Sequence, residues 1–138
     1  MNASAKFTVE HFNRFGADYL PGALGIEIVE IGRGIVRSRM RVEQKLLAPN
    51  GYLHAGSVVT LADTSAGYGC IAHLPDGASG FTTIELKANF LATARQGILS
   101  CTAKVEHMGR TTQLWDATVT NDAGKTIALF RCTQLILR

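Results

Sequence analysis

Apolar and polar positions change their period several times along the chain, and each change marks an element. From Val9 to Tyr19 the residues Phe12, Phe15 and Tyr19 recur at helical spacing, and Pro21-Gly22 follows as a stop, which predicts a short leading helix. From Ile35 to Glu43 the period becomes two. Val36, Ser38, Met40 and Val42 share one face and Arg37, Arg39, Arg41 and Glu43 the other, the pattern of a half-buried antiparallel strand. Gly25 to Ile31, rich in Ile and Val, pairs with it through a turn at Gly32-Arg33-Gly34. After Pro49-Asn50-Gly51, the stretch from Gly56 to His73 has the length, small residues and apolar content of a buried helix. Everything beyond reads as strand: Phe81 to Phe90, Ile98 to His107, Gln113 to Thr120 and Thr126 to Leu137. Gly109-Arg110 and Asn121-Asp122-Ala123-Gly124 separate the last three. The order predicts an α+β fold, an antiparallel sheet of about six strands curled around one long helix.

Composition narrows the class. The 138 residues fit one domain spanning 1–138, and a 46% hydrophobic, 18% charged balance is that of a packed globular core. Three cysteines, Cys70, Cys101 and Cys132, cannot all pair within one chain and show no metal-ligand spacing, so a reducing, cytoplasmic setting is expected. No basic segment followed by an apolar one opens the chain as a secretory signal would. Leu53 to Ala72 contains Asp63, several hydroxyl residues and three glycines, which makes it a poor membrane span. The net charge of +3 is scattered over the sequence and no nucleic-acid motif accompanies it, so a phosphate-bearing small molecule is the better match for an anionic ligand.

Asp63 is the only carboxylate between Leu53 and Ala72, and no Lys or Arg there neutralises it. An ionised carboxylate buried without a partner costs several kcal/mol. Asp63 must therefore accept strong hydrogen bonds, shift its pKa upward, or face a cleft. The alternative is a capping role at an exposed helix end. Upstream, His54-Ala55-Gly56-Ser57 places a small, Gly-containing turn where the helix begins, and its unpaired N–H groups, Gly56 foremost, can meet an oxyanion. Gly56 and Asp63 are about two helical turns apart and share one face.

Asn50-Gly51-Tyr52-Leu53-His54-Ala55-Gly56 followed by Leu61-Ala62-Asp63-Thr64 resembles the signature of hotdog-fold thioesterases of the phenylacetate-pathway and 4-hydroxybenzoyl-CoA type. Thr83 to Leu91, Ala94-Arg95-Gln96-Gly97 and Gly109-Arg110 resemble later segments of that family, so the likeness runs from about Gly25 to the C-terminus. The resemblance implies a helix inside the curled sheet, with sites shared between two subunits of a homodimer; the sequence leaves open whether such dimers pair further into a homotetramer. It implies that Asp63 is nucleophile or general base, that the Gly56 N–H meets the thioester carbonyl, and that Thr83 orients the attacking water from the partner subunit. Asn50 and His54 match positions that line the site or hold its turn. The family pattern has His-Gly-Gly where this chain has Ala55 after His54, and often carries an Asn where this chain has Ala48.

Thioester hydrolysis needs no metal or other cofactor, because the thiol leaves with a pKa near that of free Cys, about 8.5. Arg95 and Arg110 are the candidates for the phosphates of coenzyme A. The Arg37, Arg39, Arg41 stripe reads as a solvent face that discourages edge aggregation. Trp115 reads as core, and the cysteines as inert. Two other functions stay open: a non-catalytic acyl-CoA-binding or sensing module, for which the chain has no room for the usual DNA-binding segment, and a hydratase or dehydratase, which would need a His opposite Asp63.

Overall fold

The structure is a computed structural model and describes residues 7–138. Its elements are α1 (Val9–Phe15), α2 (Leu20–Ala23), β1 (Glu27–Gly32), β2 (Ile35–Arg41), a short 3-10 turn (Gln44–Leu46), α3 (Ala55–Ala72), β3 (Gly80–Phe90), β4 (Ile98–Met108), β5 (Thr112–Thr120) and β6 (Thr126–Leu137). The six strands form one antiparallel sheet in the order β1-β2-β4-β5-β6-β3, and α3 packs against five of them, β2 to β6. This is the hotdog arrangement expected from the sequence. The leading helix is the exception: it ends at Phe15, where Gly16 caps it, and Pro21 sits in the first turn of the separate helix α2. A proline at a helix start lacks only an N–H that would have no partner there, so it begins α2 and ends nothing.

The sheet can close on α3 because the helix is built from small residues. Its buried positions include Ser57, Ala62, Ser65, Ala66, Gly67, Gly69 and Ala72. At Gly69 an added Cβ would lie 2.5 Å from the Trp115 ring, and at Gly67 it would lie 3.2 Å from that of Phe81. Ser65 meets Ser38 of β2 through a 2.6 Å hydrogen bond between hydroxyls. Trp115 itself is fully buried and donates its Nε1–H to Gln113 Oε1 at 2.8 Å.

A buried polar relay fixes the far end of α3. His73 Nε2 accepts the Gly34 N–H at 2.9 Å, which leaves Nδ1 as the protonated nitrogen facing the Gly69 carbonyl at 2.8 Å. The Gln113 amide donates to the His73 carbonyl at 2.9 Å. The imidazole thus ties the β1–β2 turn to the helix, and only its neutral form can do so.

The two sheet edges differ. Strand β1 is short, bulged between Ile28 and Glu30, and its charges pair with β2 through Glu30–Arg37 at 3.0 Å and Glu27–Arg39 at 2.7 Å. These ion pairs occupy two of the three arginines of the stripe on a solvent face. Strand β3 pairs only with β6 and leaves Ile84 58% exposed, with Leu86, Phe90 and the following Leu91 also exposed. A long, apolar, unpaired edge is a template for another strand.

Two predictions follow from this packing. Burial holds the His73 imidazole below its ordinary 6.5, against the opposing pull of the Gly69 carbonyl. The unfolded chain therefore takes up a proton that the folded chain refuses. Stability from this site is complete above about pH 6.5 and falls as the pH drops toward the folded value. Urea midpoints from pH 8 to 5 will show that decline, and His73→Leu will flatten it while costing about 1–3 kcal/mol at pH 8 through the orphaned Gly34 N–H and Gly69 carbonyl. Gly69→Ala, driven into the Trp115 ring, will cost about 1–3 kcal/mol by overpacking, read as a lowered thermal midpoint.

Candidate active site

The N-terminus of α3 is held by the 3-10 turn. The Leu46 carbonyl accepts both the His54 N–H at 3.0 Å and the buried Ser57 hydroxyl at 2.9 Å. His54 is the N-cap, with extended backbone, and its Nδ1 accepts the Gly56 N–H at 2.8 Å. A Cβ at position 56 would lie 3.0 Å from that nitrogen, so glycine is what lets the ring fold back over the first turn. The Gly56 donor is therefore engaged by the chain's own His54, and the ring proton sits on Nε2. The Ala55 N–H, at the first helical position, has no acceptor among the described residues. Asn50 is exposed in the preceding turn, where its Oδ1 accepts the Tyr52 N–H at 3.0 Å beside Gly51 in left-handed backbone (φ +87°).

Two turns along, Asp63 is half-buried, and its Oδ1 is buried without a hydrogen-bond partner among the described residues. Burial alone raises its carboxyl above the ordinary 3.8. The helix face it shares carries Gly56, Val59, Thr60, Gly67 and Cys70, with no aromatic or long side chain among them. Asp63 faces the sheet near Cys132 of β6, whose thiol is pushed up to about 12 first by burial and then by the Asp63 charge. From Cys132 a chain of contacts leads outward. The fully buried Gln134 donates Nε2–H to Cys132 Sγ at 3.4 Å and accepts the Thr83 hydroxyl at Oε1, 2.6 Å away. With its proton committed to Gln134, the Thr83 oxygen is left as an acceptor.

A carboxylate with no ion-pair partner among the described residues, two turns from an electropositive helix end, is an arrangement that can support attack on a carbonyl carbon. A family model described as the thioesterase superfamily matches residues 50–128. The chain belongs to that superfamily. It is 34% identical over 114 residues to the 1,4-dihydroxy-2-naphthoyl-CoA hydrolase of Listeria monocytogenes, covering 83% of this chain and 92% of that one. It is also 34% identical over 110 residues to the acyl-coenzyme A thioesterase PaaI of Escherichia coli, covering 79% and 76%. Among solved structures, a mutant thioesterase from Pseudomonas aeruginosa superposes with a TM-score of 0.89 at 27% identity, over 94% of this chain and 93% of that one. The Escherichia coli PaaI structure gives 0.79 at 27% identity, over 95% and 97%.

Within one thioesterase subunit the two candidate arginines part company. Arg95 stacks on the Tyr52 ring, 4.4 Å from its centroid, close to the N-terminus of α3. Arg110 lies in the β4–β5 turn, where its carbonyl accepts from Arg138, which also reaches the Asp76 carbonyl just beyond the C-terminus of α3. Arg110 is thus at the opposite end of the helix from Gly56. Burial pushes the Cys70 and Cys101 thiols up to about 12 and about 11, so at neutral pH they, like Cys132, are not thiolates. Among the described residues no three His, Cys, Asp or Glu side chains gather as a metal would need, and no helix is long and apolar enough to cross a membrane.

Sequence reasoning missed the contacts of Tyr52 and Gln134 here, and of Gln113 at the far end of α3. A signal did exist for the glutamines. Gln113 has the parity of Trp115, Ala117 and Val119 on β5, and a polar residue on a core face requires a partner.

The raised Asp63 carboxyl sets a third prediction. The acid limb of kcat/KM will lie above 3.8, and Asp63→Asn will lower kcat by about 10²-fold or more. The same substitution removes a buried, unpaired charge. Its thermal midpoint at pH 7 will equal or exceed that of the parent, which separates lost chemistry from lost fold.

Proposed function

We propose that this thioesterase hydrolyses an aromatic or medium-chain acyl-CoA, with Asp63 as general base or nucleophile. The observation that carries the reading is the Asp63 carboxylate, uncompensated and raised by burial, on the face of α3 that leads to the helix N-terminus. As base, Asp63 takes a proton from water while the water oxygen bonds to the thioester carbon. As nucleophile, its own oxygen forms that bond, giving an anhydride that water then opens. In both routes the carbon–sulfur bond breaks and coenzyme A leaves as a thiolate that takes up a proton, with no strong acid and no cofactor required.

The carbonyl oxygen meets the positive end of α3. Because His54 Nδ1 caps the Gly56 N–H, the donors to hand are the Ala55 N–H and the His54 Nε2–H, and Gly56 joins them when the ring swings aside. The Thr83 hydroxyl donates its hydrogen bond to Gln134 Oε1, so its oxygen accepts a hydrogen bond from the attacking water and orients it toward the carbonyl carbon. Asn50 holds the turn rather than the substrate. The exposed β3 edge favours a homodimer as the minimal unit, in which Thr83 and Arg110 come from the partner subunit, and a homotetramer is a pair of such dimers. Three free, buried cysteines favour a cytoplasmic setting.

A panel of acyl-CoAs assayed with a thiol-reactive dye, parent beside Asp63→Ala, tests the reading, together with solution mass by light scattering. We expect thiol release from aryl or medium-chain substrates by the parent only, and a mass of at least two chains. Acyl-CoA binding without thiol release would instead mark a sensing module, and loss of enoyl absorbance without thiol release a hydratase. A monomer with full activity would sink the shared site.

A further inference from the structure

Beside the N-terminus of α3 lies an apolar cavity of about 350 Å³, lined by Tyr52, Leu53, Ala55, Val58, Phe90 and Ala92 among others. Ala55 adjoins Gly56, so this cavity opens onto the turn where the thioester carbonyl would sit. The two loops that form its mouth are tied together, for Thr93 Oγ1 accepts the Leu53 N–H at 3.3 Å. The Tyr52 backbone is fixed as well. Its N–H is held by Asn50 Oδ1 at 3.0 Å and its carbonyl by the Ala48 N–H at 2.7 Å. On this anchored ring the Arg95 guanidinium is stacked at 4.4 Å.

Arg95 combines a stacked guanidinium with the absence of an ion-pair partner among the described residues. Arg37, Arg39 and Arg131 each face a carboxylate, whereas none pairs with Arg95 among the described residues. Stacking leaves the edge donors of a guanidinium open, and those donors match phosphate oxygens. An apolar slot beside the first turn of α3, with a stacked and unneutralised cation on its Tyr52 wall, fits a ligand that is apolar along its arm and anionic at its end.

We propose that Tyr52 is a positioning residue: its ring holds Arg95 at the mouth of this cavity, so that Arg95 meets the phosphates of an acyl-CoA whose pantetheine arm lies in the slot. The proposal rests on the acyl-CoA reading above and adds to it the residue that places the phosphate-binding cation. Tyr52 acts through Arg95 and touches no reacting atom.

The test compares Tyr52→Leu, Tyr52→Phe, Arg95→Gln and the double variant Tyr52→Leu/Arg95→Gln. Each is assayed with an acyl-CoA and with the same acyl group on N-acetylcysteamine, which lacks phosphates. Tyr52→Leu will raise KM for the acyl-CoA about two- to fivefold, the range of a cation–π contact, with kcat unchanged. Arg95→Gln will raise it about tenfold, the scale of a charge-assisted hydrogen bond. Tyr52→Phe, which keeps the ring, will match the parent. The double variant will be no worse than Arg95→Gln alone, because Tyr52 has nothing left to place. On the phosphate-free thioester Arg95→Gln will match the parent, and Tyr52→Leu will raise KM less than it does on the acyl-CoA.

Equal KM increases on both substrates from Tyr52→Leu would overturn the proposal and make the ring a wall of the slot. So would additive losses in the double variant, or no effect on the acyl-CoA. Calorimetric binding of free coenzyme A against pantetheine keeps the test independent of turnover. Weaker coenzyme A binding by Tyr52→Leu in a protein that hydrolyses neither thioester would sink the hydrolase reading and leave the positioning role standing, whereas unchanged coenzyme A binding would remove the positioning role.

Discussion

How closely α3 approaches the sheet decides where everything else can be. Large side chains on its buried face would hold the two layers about 10 Å apart, as helices normally pack. Gly69 instead lies against the Trp115 ring, Gly67 against Phe81, and Ser65 within hydrogen-bond distance of Ser38. The sheet therefore wraps the helix instead of resting on it, and a residue halfway along becomes partly enclosed even though it is charged. Asp63 is that residue. Its enclosure gives it a raised proton affinity, and the absence of a neighbouring cation leaves that affinity available to an external proton.

Enclosure also makes neighbouring polar groups depend on one another. Gln134 has no water to turn to, so its amide is committed at both ends, to Cys132 and to Thr83. That commitment fixes the direction of the Thr83 hydroxyl. At the other end of α3 the same logic gives His73, Gln113 and Trp115 a single consistent set of donors and acceptors, and it makes a neutral imidazole a condition of the fold. One set fixes the Thr83 hydroxyl on β3 and the other holds the far end of α3.

The helix N-terminus shows a different economy. Its first donors are few, and His54 already occupies one of them, the Gly56 N–H. On the proposed reading, a substrate carbonyl arriving there exchanges a ring nitrogen for an oxygen that gains negative charge in the transition state. The His54 ring can then turn from cap to donor, a role that a fixed backbone group could not change. Nearby, a stacked arginine keeps positive charge at the mouth of an apolar cavity.

By itself the sequence determined what depends on period and on local chemistry. Alternation along Val36, Ser38, Met40 and Val42 placed a strand, the small apolar run from Gly56 placed a buried helix, and a lone acid in that run marked Asp63. The resemblance to hotdog thioesterases, carried by the residues around His54 and Asp63, was legible as well. The end of the first helix was not, because Pro21 starts a helix as readily as it follows one. Only the tertiary structure decided that His54 caps Gly56, that Gln134 governs Thr83, that Arg95 rests on Tyr52, and that Arg110 lies at the far end of α3. The partners in these contacts lie anywhere from 2 to 51 residues apart, and their contacts depend on strand register, ring orientation and the path of loops. A linear pattern carries the face a residue occupies, not the atom it will meet there.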